Sequence, residues 1–393
     1  MNSYFASCEQ HDRAELRDKP VAVCAVATDY TCCIAASYEA KAFGVKTGTA
    51  VWEAKKLCPQ IRMVVARPEL YIRLHHEFLA AIDTCIPVKA VHSIDECACE
   101  LLGNERKPDV ATRIAMTVKA AIRQRIGPAL RCSIGIAPNS YLAKVAADMQ
   151  KPDGLTIVQQ HELPDRMYPL ALEDFSGIGP SMLRRLRTAG ITTVEQLYGL
   201  SESQMRSHWN GVVGARLHRL LRGEDVPGPI IKRRSVGHSY VLPPDLRTID
   251  GVRGVLMRLV HKAAARMRHL RLWARRLEVQ VELMRAPAWF ARTDVIPCQD
   301  TQSILEAFAA IWQPPKGTPI RAGIVLSRCI HDANMPAPLF ECEQKRIALS
   351  RTMDRINMRF GTNTVYYGGI HGLKAVAPLR ISFTNIPDPS MPW

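Results

Sequence analysis

Short apolar β-type runs alternate with helix-periodic stretches over roughly the first 155 residues, and this alternation most narrows the folds open to the chain. PVAVCAV, residues 20–26, reads as a strand after a polar turn, and CCIAASYEAKAFGV, residues 32–45, as a strand end running into a helix. VWEAKKLCP continues helically and stops at Pro59; RMVVA, residues 62–66, is a short strand. Residues 69–86 place Leu70, Leu74, Phe78, Ile82 and Ile86 on one helical face. AVHSIDECACELL follows with a strand pattern, residues 109–126 look helical, and RCSIGIA, residues 131–137, looks β. Asn139 stands as N-cap of the helix NSYLAKVAADM. The expectation is an α/β domain of catalytic type.

The character then changes. Residues 160–224 carry a helical pattern broken by turns at Ser176–Pro180, Ala189–Thr192 and Asn210–Gly214. VPGPIIKRRS, residues 226–235, reads as an inter-domain linker. Beyond it come the strand VGHSYVLPP, a helix over 249–268, the alternating strand RRLEVQVEL and a further strand at 320–330. One helix, QKRIALSRTMDRINMRF, and turn-rich sequence close the chain. At 393 residues, two or more domains are expected.

Composition limits the class. Hydrophobic residues make up 47% and charged residues 23%, an ordinary globular balance. No apolar run nears the roughly 20 residues that span a bilayer, and MNSYFASCEQHD has neither the basic nor the apolar region of a signal peptide. A cytoplasmic location is therefore expected. The 12 cysteines include no C-x-x-C and read as reduced, partly buried thiols rather than zinc ligands or disulfides. The net charge of +15 is concentrated: between Pro229 and Leu283 there are 12 basic residues and 4 acidic ones. Such an excess points to a polyanionic partner, most often nucleic acid.

The chemistry centres on Asp95 and Glu96 in Ser93-Ile94-Asp95-Glu96. Adjacent carboxylates in an apolar strand are costly unless compensated, and a divalent cation is a common compensator. Taken alone, the pair reads more simply as a strand end with two solvated acids.

Five blocks in order resolve that ambiguity. MNSYFASCEQ, ASYEAKAFGVKTG, SIDE with SIGIAPNSYLAKVAADMQKPDG, FSGIGPSMLRRLRTAGITTVEQL and KRRSVGHSYVLPPDLRT resemble the successive motifs of the Y-family (DinB/UmuC-type) translesion DNA polymerases. The resemblance covers most of residues 1–285 and implies an α/β (α+β) multidomain right-hand polymerase. Its palm would be residues 1–10 and 68–158, its fingers 11–67, its helix-hairpin-helix thumb 159–226, its linker 227–233 and its little finger 234–342, with a tail over 343–393. The implied activity is low-fidelity, template-directed DNA synthesis across damage, on primer–template DNA, with dNTP substrates and two Mg²⁺ ions.

By position, Asp95 and Glu96 would be the catalytic metal ligands. Tyr38, Lys41 and Lys151 match triphosphate contacts; Lys41 stands where arginine is common, which weakens any bidentate grip. Phe5 matches the steric gate under the sugar, and Tyr4 is its neighbour in the nucleotide-binding set. Gly177 and Gly179 in a helix-hairpin-helix turn, with Arg184 and Arg185, would meet DNA phosphates. Lys232, Arg233, Arg234, Arg275 and Arg276 belong to an arginine-rich segment expected along the template backbone. Leu339 and Phe340 resemble the end of a sliding-clamp-binding peptide, although Pro336 replaces the usual glutamine. A monomer without membrane contact is expected.

The family's first metal aspartate would stand immediately before Met1, and Asn2 is two places too late to replace it. The expectation is a chain that starts inside the motif, with activity badly impaired as it stands. The alternative is a polymerase-like DNA-binding scaffold in damage tolerance that has lost a ligand.

Overall fold

Alternation in the first part of the chain does produce strands and helices, but the strands are short and fall into three small sheets. The computed structural model describes residues 1–393 except 27, 30, 229–233, 337, 375, 378–380, 382–385 and 387–393. It divides into two units, one built on residues 1–229 and the other on residues 230–382.

The first unit opens with helix α1 (Tyr4–Asp12), buried along Tyr4–Gln10. A three-stranded sheet follows, built from β1 (Val21–Cys24), β2 (Cys33–Ala36) and β3 (Arg62–Val65) in the order β2-β1-β3. β1 is central and buried at every residue, as its unbroken apolar run requires. The short helices α2 (Tyr38–Lys41) and α3 (Val51–Leu57) lie between β2 and β3, and α4 (Pro68–Asp83) follows with Pro68 at its first position.

Residues 90–102, expected as one strand, form a hairpin instead. β4 (Val88–Ser93) and β5 (Glu96–Cys99) pair antiparallel, with Ser93 opposite Glu96 and the turn at Ile94–Asp95. A continuous strand would send the two carboxylates to opposite faces; the turn removes that constraint. Helix α5 (Pro108–Arg125) leads to β6 (Ile134–Ile136), then α6 (Ser140–Met149), then β7 (Leu155–Ile157), which runs parallel to β6. Asn139 caps α6 by accepting from the Leu142 N–H at 2.9 Å. Gly135 lets α6 lie directly on β6: a Cβ there would stand 2.0 Å from the Ala143 carbonyl and 2.3 Å from the Ala147 nitrogen.

Helices α7 (Pro180–Thr188), α8 (Val194–Tyr198), α9 (Glu202–His208) and α10 (Val212–Leu221) complete this unit. Their core joins Phe175, Ile178, Leu186, Leu197 and Leu221 to Leu142 and Val145 of α6.

The second unit contains β8 (Ser235–Val241), α11 (Ile249–His269), β9 (Leu272–Leu283), β10 (Ala286–Cys298), α12 (Thr301–Ile311), β11 (Pro319–Ser327), β12 (Ile330–His331) and α13 (Glu341–Phe360). Its sheet has the order β10-β9-β11-β8, with β12 pairing β9. Val255, Leu259 and Ala263 of α11 pack with Leu277, Val279 and Val281 of β9.

The basic segment is not one continuous surface, and the expectation is corrected here. Arg258 and Lys262 are 3% and 5% exposed on α11. Lys262 Nζ donates to the Ala377 carbonyl at 2.7 Å, and Arg268 grips Asp354 of α13 at 2.6 and 2.7 Å. The segment after α13 thus covers part of the helix that carries these cations. Lys232 and Arg233 lie outside the described residues. Among the described residues, no helix is long and apolar enough to cross a membrane.

Candidate active site

The Ile94–Asp95 turn is fixed from below. Ile94 is buried, and its carbonyl lies 2.8 Å from His75 Nδ1. A carbonyl only accepts, so Nδ1 carries the proton. Burial lowers the His75 pKa, which favours the neutral ring. Asp95 is half-buried, and its Oδ1 accepts from Ser93 Oγ at 2.8 Å. The Met1 ammonium donates to the Asp95 carbonyl, and Asn2 N–H to the Arg131 carbonyl at 2.8 Å. Asn2 is committed to structure: its Oδ1 accepts from the Asp153 N–H at 3.0 Å and its Nδ2 donates to Ser133 Oγ at 3.2 Å.

Glu96, beginning β5, accepts from Lys144 Nζ. Lys144 also lies 3.3 Å from Asp148 Oδ2, and Asp148 Oδ1 lies 2.6 Å from Lys151 Nζ. Burial opposes the charge on Lys144, but Glu96 and Asp148 outweigh it and hold its pKa above the ordinary lysine value. Lys144 and Asp148 sit one turn apart on α6, and Lys151 follows just beyond its end.

Lys41 completes this basic group. Its Nζ donates to Ser3 Oγ at 2.9 Å and stands 4.5 Å from the centre of the Tyr38 ring. Burial, then the charge of Lys151, lowers its pKa. Tyr38, Lys41 and Lys151 therefore share one neighbourhood, linked through Asp148 and Lys144 to Glu96.

Behind it lies a packed aromatic floor. The Phe5 ring, in a residue 9% exposed, stacks on Tyr71 at 4.5 Å and 16°. Tyr4 is corrected from a nucleotide contact to a core residue: it is buried, and its hydroxyl donates to the Tyr71 carbonyl at 2.7 Å. Beneath them Glu9 is wholly buried, accepting from Arg67 Nε at 3.1 Å, from Arg67 Nη2 and from Tyr71 Oη at 2.8 Å. The sequence reading gave no role to Glu9, Arg67, Ser93, His75, Lys144 or Asp148. Only the Lys144–Asp148–Lys151 spacing of four and three residues was visible beforehand.

The donor set suits a hard divalent cation such as Mg²⁺, which is commonly held by one or two carboxylates plus water and substrate phosphates. Asp95 and Glu96 supply two carboxylates on adjoining residues. Among the described residues no cluster of three or more metal-capable side chains forms, so water and substrate oxygens would complete the shell.

The other expected residues lie elsewhere. Gly177 has a φ of 93°, and Gly179 precedes α7 with open space where a Cβ would stand. Arg184 is exposed; Arg185 is exposed and donates to the His208 carbonyl at 2.7 Å. In the second unit Arg234 and Arg275 are exposed, while Arg276 pairs with Asp294 at 2.6 Å. Leu339 and Phe340, just before α13, are 90% and 65% exposed.

Comparison with known proteins agrees with this arrangement. Residues 1–148 match the impB/mucB/samB family and residues 233–334 its C-terminal domain. The chain is 32% identical to a DNA polymerase IV of Moorella thermoacetica over 93% of both chains. It is also 32% identical to a DNA polymerase IV of Pelotomaculum thermopropionicum, over 93% of this chain and 92% of that one. Its fold resembles a Y-family DNA polymerase chimera of Dbh and Dpo4, with a TM-score of 0.69 at 21% identity, covering 84% of this chain and 97% of the chimera. The chain belongs to the impB/mucB/samB family, the Y-family DinB-type polymerases.

Proposed function

We propose that this protein is a DNA-directed DNA polymerase that copies damaged templates with low fidelity, adding dNTPs to a primer. The observation that carries the reading is the charge pattern around the β4–β5 turn. Two carboxylates, Asp95 and Glu96, are linked through Lys144 and Asp148 to a cationic pair, Lys41 and Lys151. An anionic triphosphate needs the second and a divalent cation needs the first. Relatives named DNA polymerase IV, matched over nearly their whole length, support the same activity.

Asp95 and Glu96 would hold Mg²⁺, two ions when primer and dNTP are both present. Bound there, the metal would activate the primer hydroxyl and stabilise the leaving pyrophosphate. The chain's own residues bind and orient. Lys151, Lys41 and the Tyr38 hydroxyl contact the triphosphate, which places the α-phosphate for in-line attack. Phe5, backed by Tyr71, would lie under the sugar and exclude a 2′-hydroxyl.

We assign residues 1–10 and 68–158 to the palm, 11–67 to the fingers, 159–226 to the thumb, 227–233 to the linker and 234–342 to the little finger. The turn at Gly177–Gly179 with Arg184 and Arg185, and the second unit through Lys232, Arg233, Arg234, Arg275 and Arg276, would grip the DNA backbone without reading sequence. Leu339 and Phe340 would be the apolar end of a clamp-binding peptide. We take the working form to be a cytoplasmic monomer.

The test is primer extension across salt concentrations. Asp95→Ala should abolish extension while leaving salt-dependent primer–template binding intact. Extension unchanged by Asp95→Ala would overturn the assignment.

A further inference from the structure

Glu96 and Lys151 are joined by an unbroken line of alternating charge: Glu96, Lys144, Asp148, Lys151. The two inner residues have no role in the proposed reaction itself. Each is shared, since Lys144 has two carboxylates and Asp148 has two lysines. All four side chains are between 31% and 39% exposed, so their mutual attraction is less screened than that of fully exposed pairs.

We propose that Lys144 and Asp148 are positioning residues that couple arrival of the triphosphate to release of Glu96 for metal binding. The proposal rests on the metal and triphosphate roles given above. Before nucleotide binds, Lys144 neutralises Glu96 and stands where a cation would. Asp148 cannot draw it away fully, because Lys151 competes for the same carboxylate. A triphosphate that captures Lys151 removes the competitor. Asp148 then takes Lys144 more completely, and Glu96 is uncovered. The spacing allows this shift without a backbone change: Lys144 Nζ already touches both carboxylates, and a rotation of its side chain exchanges one for the other.

The arrangement makes a claim that simple charge does not. Asp148 should affect the metal only through Lys144. Mn²⁺ alone is the probe, its free concentration read by electron paramagnetic resonance with full-length, nucleotide-free protein. Lys144→Met should bind Mn²⁺ about three- to tenfold more tightly than the parent, and Lys144→Arg should restore the parental affinity. Asp148→Asn should weaken Mn²⁺ binding about three- to tenfold in the parent, yet have no effect in a Lys144→Met background. Equal weakening by Asp148→Asn in both backgrounds would overturn the relay and leave ordinary through-space attraction. So would an unchanged affinity in Lys144→Met. Glu96→Ala separates the underlying reading: Mn²⁺ binding that ignores it would sink the metal site itself, and the relay with it. Circular dichroism of each variant checks that α6 is intact.

Discussion

Replacing Glu9 with alanine should loosen the floor of the candidate site far more than an average substitution. Glu9 is fully buried, and its side chain is the common acceptor for Arg67 and the buried Tyr71 hydroxyl. Losing it strands the Tyr71 hydroxyl, at about 1–3 kcal/mol. It also breaks a buried ion pair, a change that costs about 3–5 kcal/mol when the remaining charge has no outlet. Arg67 does have one: its side chain is 34% exposed and Asp12 lies 2.8 Å away. That discounts the second contribution, and the net cost comes to about 3 kcal/mol. At about 1.4 kcal/mol per tenfold, amides of α1 and α4 that exchange by opening of this region should exchange roughly a hundredfold faster. Hydrogen exchange read by mass spectrometry measures this without requiring two-state unfolding of a two-unit chain. Glu9→Gln should cost less, because it can still accept from Tyr71. The Glu9→Ala/Arg67→Ala double variant should cost clearly less than the two singles together. Acceleration below about tenfold, or strict additivity, would refute the reasoning.

Gly135→Ala should destabilise the first unit by about 3 kcal/mol, since its Cβ would overlap the α6 backbone; thermal unfolding beside Gly179→Ala, where the space is open and φ is -83°, separates crowding from loss of glycine. The second unit should lose stability in acid. Burial, with neighbouring cations, pushes the His238 and His261 pKa values down to about 3, well below the unfolded value. The unfolded chain therefore binds more protons. Stability is complete above about pH 6.5 and falls as pH drops toward 3, by at most about 1.4 kcal/mol per pH unit for each histidine. Urea midpoints at pH 7, 5 and 4 should show the slope, and His261→Phe should flatten it. Phe5→Leu should raise ribonucleotide incorporation at least tenfold relative to dNTP in single-nucleotide insertion assays, because the shorter side chain opens space beneath the sugar.

Much of this architecture was legible in local patterns. The apolar run of β1, the period of α4, the Asn139 cap and the alternation of β9 each settle one element within a few residues. The hairpin at Asp95 was not, because Ile94–Asp95 lacks the glycine or asparagine that marks most two-residue turns, and tertiary anchors at Ile94 and His75 hold it. β10 escaped notice because it has little apolar alternation and contains Pro287 and Pro297, as an edge strand permits. Within the site, Asp95, Glu96, Tyr38, Lys41 and Lys151 could be singled out by motif. Their support could not: Glu9 and Arg67 are 58 residues apart, and Lys144 and Glu96 are 48 apart. The same limit explains the basic segment. Charge counting finds Arg258, Lys262 and Arg268, but only the fold shows Arg258 and Lys262 buried, Lys262 bonded to the Ala377 carbonyl, and Arg268 tied to Asp354 of α13.

The most direct test of the account is primer extension with Mg²⁺ and dNTPs. It should compare the parent protein with Asp95→Ala and Glu96→Ala. The account predicts that the parent extends primers and that each substitution slows synthesis about a thousandfold or more, a difference of about 4 kcal/mol. Primer–template binding with steep salt dependence but no synthesis by the parent would contradict it and leave a DNA-binding scaffold.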